Sequence, residues 1–167
     1  MYDRRINSVN LSAWKDRLAA GKYDAPLAAL YGAADAPRSR YARLCEEYLR
    51  TFGDAPDALL ISAPGRTELG GNHTDHQHGL VLAAAVTLDT KAAAAENNDG
   101  CIRVISEGYA PVTVPIDELE KHPEERNTTA ALVRGVAAGF LRRGYGVRGF
   151  DAYVVSDVLP GSGLSSS

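Results

Sequence analysis
Two cysteines, Cys45 and Cys101, are too few to build a disulfide framework in a chain of 167 residues. Both read as small buried hydrophobes in a reducing compartment. No run of about 18 apolar residues occurs, so no transmembrane helix is expected. Met1 to Asn10 carries Arg4 and Arg5 but no apolar stretch after them, which excludes a signal peptide. A cytoplasmic location is therefore expected, and the Asn-x-Thr sequons at Asn72 and Asn127 are chemically idle. Positive charge is not in excess: 18 lysines and arginines face 21 aspartates and glutamates, a formal net charge of −3. A general nucleic-acid binder would show a basic surplus or stripe, so nucleic acid is not an expected partner. The chain also lacks a G-x-x-x-x-G-K-[ST] loop, a G-x-G-x-x-G opening a helix after a first strand, and a G-x-S-x-G elbow. What it does have is 45% hydrophobic and 23% charged residues, enough for a packed core in one domain or part of a larger one.

The first third reads as helical. Asn10 or Ser12 can cap a helix carrying Trp14 and Leu18 that ends near Gly21. Asp24 can cap a second, with Leu27, Leu30 and Tyr31 before Gly32. The strongest pattern runs from Pro37 to Phe52. Tyr41, Leu44, Cys45, Tyr48, Leu49 and Phe52 recur at three- and four-residue steps and share one face, while Arg40, Arg43, Glu46, Glu47 and Arg50 fill the other.

After Pro56 the pattern changes. Leu59–Ile61 reads as a strand, Leu80–Val86 as a second and Leu88–Ala95 as a third, although alanines are weak strand formers. Asn97-Asn98-Asp99-Gly100 predicts a hairpin turn. Cys101–Ser106 and Val112–Ile116 alternate as strands. Asn127 or Thr128 opens a helix with Leu132, Val136 and Phe140 on one face, ended by Gly144 or Gly146. Phe150–Val155 is the last predicted strand. Helices, then strands, then helix and strand describe an α+β fold rather than regular βαβ alternation.

Two segments are dense in chemistry. Ala63 to Gly79 packs three histidines, Arg66, Glu68, Asp75 and five glycines or prolines into seventeen residues between two predicted strands. Three readings compete. His73, Asp75, His76 and His78 could hold a metal, but zincin spacing and a supporting cysteine pair are absent. The polar side chains could simply cap turns. Or Asp and Asn could hydrogen-bond a polyhydroxylated ligand while Arg66 faces a transferred phosphate. The second segment is Pro160-Gly161-Ser162-Gly163-Leu164-Ser165-Ser166-Ser167. Glycines there let consecutive N–H groups turn inward as an anion nest. Composition alone favours a flexible Gly/Ser tail. No base accompanies the serines, so a serine hydrolase is not expected.

Together the two segments resemble the galactokinases of the GHMP kinase superfamily. Ala63-Pro64-Gly65-Arg66 followed by Gly71-Asn72-His73-Thr74-Asp75 is similar to the family's A-P-G-R-V-N-L-I-G-E-H-T-D-Y, and Gly79-Leu80-Val81-Leu82 continues it. Leu159 to Ser167 resembles the ATP phosphate loop P-x-G-x-G-L-S-S-S. The resemblance implies an N-terminal lobe with the ribosomal protein S5 domain 2-like core (57–167), preceded by a helical extension (1–56). It implies a chain whose phosphate loop is followed by a helix and a second lobe, so that the catalytic aspartate lies beyond Ser167. On this reading 1–167 alone is inactive.

The implied activity is transfer of the ATP γ-phosphate to the anomeric hydroxyl of galactose or a related sugar, with Mg²⁺. Arg66 is then the catalytic arginine beside the transferred phosphate. Asn72, His73 and Asp75 line the sugar site. Pro160, Gly161, Ser162, Gly163, Leu164, Ser165, Ser166 and Ser167 hold ATP, with Ser166 the implied Mg²⁺ ligand. The signature departs from the family at five positions. Asn72 replaces a sugar-binding glutamate and loses charge-assisted strength. Glu68 replaces asparagine, Thr67 valine, Gly70 isoleucine and His76 tyrosine. ATP use is therefore better supported than galactose use, and a kinase for another sugar or a sugar sensor without turnover stays open.

Overall fold
A computed structural model describes residues 9–71, 78–158 and 161. Three helices come first: α1 (Leu11–Ala19), α2 (Asp24–Tyr31) and α3 (Asp35–Phe52). Strands β1 (Leu59–Gly70), β2 (Leu82–Glu96), β3 (Cys101–Ser106) and β4 (Val112–Pro115) follow. A 3-10 turn (Pro123–Glu125), α4 (Thr129–Arg142) and β5 (Phe150–Ser156) complete the described elements. The sheet order is β1-β2-β5-β3-β4, with β5 parallel to β3 and the other pairs antiparallel.

The α3 face forms as its spacing predicts. Tyr41, Leu44, Cys45 and Tyr48 are buried, and Leu49 and Phe52 pack beside them. They close over Ala93, Ala95, Tyr153 and Val155 on one sheet face, with Leu11, Leu18 and Leu27 from α1 and α2. Each fully buried large apolar side chain contributes roughly 1.5–3 kcal/mol. The alanine run of β2 is a strand because β1 and β5 flank it and supply ladder partners. Its small side chains leave room for the helix layer, and tertiary context overrides weak propensity. The opposite face carries a second core of Ile102, Val114 and Ala137 under α4.

Several expectations are corrected. Leu80–Val86 and Leu88–Ala95 are not two strands but one, starting at Leu82. The Asn97–Gly100 turn is present, but it makes no hairpin: β5 inserts between β2 and β3. Asn97 anchors that insertion, its backbone N–H donating to Gly149 O (3.0 Å) and its side-chain amide to Cys101 O (3.1 Å) and Asp151 (2.8 Å). Local turn chemistry says nothing about a strand that arrives fifty residues later. At the start of α1, neither Asn10 nor Ser12 caps through its own side chain to the helix. Asp54 does so from a distance, accepting from Ser12 N–H (3.1 Å) and Oγ–H (2.7 Å), and these bonds hold its carboxyl below the usual range. Thr128 caps α4 as expected, accepting from Ala131 N–H at 3.2 Å. Leu132, Val136 and Phe140 do share a face of α4, but it is open, at 67%, 53% and 52% exposure.

The cysteines are free thiols, Cys45 buried and Cys101 half-buried. Burial pushes the Cys45 thiol up to about 12, so thiolate is scarce at pH 8. A thiol reagent at pH 8 should titrate Cys101 in the native protein and reach Cys45 only after denaturant is added. Two fast-reacting thiols without denaturant would contradict this burial.

Candidate functional site
The first half of the signature is strand. Pro64 to Gly70 lie within β1, paired to β2, although the polar, glycine-rich sequence reads as loop. The ladder is irregular at Gly65: Pro64 pairs with Asp89 and Arg66 with Ala85. Gly65 is buried, and a Cβ built there would sit 3.1 Å from Val86 Cγ2, 3.3 Å from Leu88 O and 3.3 Å from Val158 Cγ2. Those contacts are tighter than a side chain tolerates without displacing a neighbour. Glycine at this bulge thus lets the end of the β5 segment close directly on β1. Two stretches far apart in sequence, the signature and the residues leading into Leu159-Pro160-Gly161, meet at Gly65 and Val158.

Arg66 projects from β1 just beyond that meeting point. Its side chain is 53% exposed and donates to Glu68 Oε1 at 3.2 Å. The other carboxylate oxygen, Glu68 Oε2, is buried and has no hydrogen-bond partner among the described residues. A buried acceptor left open costs free energy unless a donor arrives, and a ligand hydroxyl would be such a donor. Asn72, His73 and Asp75 lie outside the described residues, as do Pro160, Ser162, Gly163, Leu164, Ser165, Ser166 and Ser167. Of the metal candidates, His78 is described; His73, Asp75 and His76 are not. Gly161 is described and has a φ of +73°, the left-handed backbone that an anion nest uses. Nothing lies within 4 Å of a Cβ built on it.

A cavity of about 200 Å³ opens beside the end of β5. Thr90, Ser106, Tyr109, Val154 and Ser156 line it, with Thr129 at the start of α4. Thr90 and Ser156, both lining it, share a 2.7 Å hydrogen bond.

On the helix-facing side of the same strand ends lies a charged cluster that motif reading misses. Asp89 and Lys91 are fully buried. The Asp89 carboxylate accepts from Tyr31 Oη–H (2.6 Å), Ser62 Oγ–H (2.5 Å), Arg40 (2.8 Å) and the Lys91 ammonium. Burial opposes its charge, but the hydrogen bonds from Lys91, Ser62 and Tyr31 outweigh burial and hold the carboxyl below the usual range. Burial lowers Lys91, and Asp89 only partly offsets it. The Tyr31 and Tyr41 rings flank the ammonium at 5.3 and 5.4 Å. A signal was available: period-two spacing places Asp89 and Lys91 on the same face as the core alanines Ala93 and Ala95.

Residues 46–96 match the family described as the galactokinase galactose-binding signature. The chain is 36% identical over 124 residues to the galactokinase of Bacillus subtilis (strain 168), covering 72% of this chain and 31% of the relative. It is 40% identical over 116 residues to the galactokinase of Chloroflexus aurantiacus, covering 70% and 29%. The chain thus spans about 30% of the length of these curated relatives. Among solved structures, Lactococcus lactis galactokinase complexed with galactose superposes with a TM-score of 0.66 at 30% identity, covering 73% of this chain and 32% of that one. Methanococcus jannaschii mevalonate kinase superposes with a TM-score of 0.51 at 15% identity, covering 64% and 34%, a likeness of fold. Helices ahead of a five-stranded mixed sheet match the N-terminal lobe of these kinases, and the chain is galactokinase-related, within the GHMP kinase superfamily.

Proposed function
We propose that this chain contributes nucleotide and sugar contacts to an ATP-dependent kinase that phosphorylates the anomeric hydroxyl of galactose or a related sugar. The observation that supports the reading is the contact of Gly65 with Val158, which brings β1, one residue before Arg66, against the strand end that leads into the phosphate-loop motif. A guanidinium there would stabilise the phosphoryl group as charge develops on it. The left-handed Gly161 suits a backbone nest for phosphate oxygens. Ser166 is the proposed ligand of a Mg²⁺ ion, which would neutralise phosphate charge when bound. The cavity lined by Thr90, Ser156 and Thr129, at the end of β5, would take the nucleotide base. Asn72, His73 and Asp75 would hold sugar hydroxyls, and the open acceptor Glu68 Oε2 offers one more. We divide the chain as 1–56, a helical extension, and 57–167, the lobe that carries these contacts.

The test is ADP release with Mg·ATP and a sugar panel, using a polypeptide continued past Ser167 to the relatives' length. Release specific to galactose is the expected result, and 1–167 alone should give none. Release with a different sugar would move the substrate within the superfamily. Nucleotide and sugar binding without release would overturn the kinase reading in favour of a sensor. An Asn72→Glu variant in the same assay asks whether that position sets sugar preference; unchanged galactose affinity would show that it does not.

A further inference from the structure
We propose that Arg40 and Asp157, joined through Asp89, form a strut that fixes where the chain leaves β5 and so positions the phosphate-loop motif; the inference rests on the nucleotide reading above. Arg40 projects from α3 and makes two contacts. One is to the buried Asp89 carboxylate at 2.8 Å, and the other is an ion pair with the Asp157 carboxylate. Asp157 is the residue after β5, and its backbone N–H donates to Asp89 O at 3.0 Å. Lys91 Nζ lies 4.0 Å from the same Asp157 carboxylate. Val158 N–H then donates to Ser156 Oγ at 3.2 Å, and Val158 packs on Gly65. Strand ends ordinarily fray at low free-energy cost. This one is tied down by a backbone bond, an arginine and a glycine-lined contact within two residues.

The network also reaches the other motif. Ser62, which donates to Asp89, precedes Pro64-Gly65-Arg66 on β1. One buried carboxylate therefore links the approach to Arg66, the end of β5 and the N-terminal helices. Stability is a poor reason for such an arrangement. A buried ion pair does no better than well-packed apolar residues, and a pair to Asp157, which is 42% exposed, contributes little. Position is the better reason, because a misplacement of about 1 Å at a reacting centre can cost about a hundredfold in rate. Arg40 and Asp157 are positioning residues on this account and touch no substrate.

Two variants test it. Arg40→Met removes both contacts of the arginine, and Asp157→Asn removes the outer ion pair while leaving Asp89 its partners. Hydrogen exchange on 1–167 is the first readout and needs no ligand. Peptides covering 157–161 should lose protection, by about tenfold in Arg40→Met and by about two- to fivefold in Asp157→Asn, while β3 and the centre of β2 keep theirs. Unchanged exchange at 157–161, or an equal loss throughout the sheet, would overturn the strut. The second readout is the KM for ATP in the polypeptide of relatives' length, expected to rise about tenfold with the KM for sugar within about twofold. Equal loss of both would mark a merely structural role and overturn the positioning claim. If the unmutated polypeptide binds no nucleotide, the nucleotide reading fails, and the exchange result still decides whether the strut exists. Should Arg40→Met fail to fold, Asp157→Asn carries the test alone.

Discussion

Asp89→Ala is expected to destabilise the fold by about 3–5 kcal/mol, because it strands the Lys91 ammonium in the core. Lys91 is completely buried and Asp89 is its closest partner. The Tyr31 and Tyr41 rings remain, but their faces cannot replace a carboxylate. Urea unfolding followed by circular dichroism measures the loss. A double variant, Asp89→Leu with Lys91→Met, should recover most of it, since removing both charges removes the stranded one. The pH dependence gives a second signature. The folded Asp89 carboxyl titrates below its unfolded value of about 3.9, so its contribution is present above that pH and lost as pH falls through the folded value. Burial lowers Lys91 in the folded state, so Asp89→Ala should regain stability as pH rises through that lowered value towards the ordinary lysine range. A variant as stable as the parent at pH 7 would contradict the buried pair.

Arg66→Ala is expected to separate catalysis from folding. The side chain is half exposed and its ion pair among the described residues, with Glu68, is a weak surface contact, so stability should change by no more than about 0.5 kcal/mol. In a polypeptide of relatives' length, turnover should fall about 10²–10³-fold or more, since one preorganised donor aimed at developing negative charge is worth about that much. Arg66→Lys should recover only part, because an ammonium lacks the planar fork that meets two oxygens. A KM effect on sugar without loss of kcat would instead place Arg66 in ground-state binding.

Much of what rests on local pattern was legible in the sequence, although the cap of α1 and the continuity of β2 from Leu82 to Glu96 were not. The α3 face, the Thr128 cap of α4 and the strand at Phe150–Ser156 follow from spacing and turn residues within a few positions. Long-range pairing was not. The Asn97–Gly100 turn has good hairpin chemistry, yet β5 claims the place beside β2. Pro64–Gly70 has no strand periodicity and is a strand because β2 offers it a ladder. The apolar stripe Leu132, Val136, Phe140 shows that periodicity identifies a face without saying what covers it. At the candidate site, Arg66 was visible through its motif. The cluster of Arg40, Asp89, Lys91 and Asp157 draws on a helix, a strand and a strand end that only folding brings together.

The most direct test of the central claim is the phosphorus NMR spectrum of the product formed from galactose and Mg·ATP by the polypeptide continued past Ser167. ADP release alone does not separate transfer from hydrolysis; the spectrum does. The account predicts a phosphate ester on the anomeric oxygen, coupled to the anomeric proton, accumulating in step with ADP. Inorganic phosphate as the sole product, or an ester elsewhere on the ring, would contradict it.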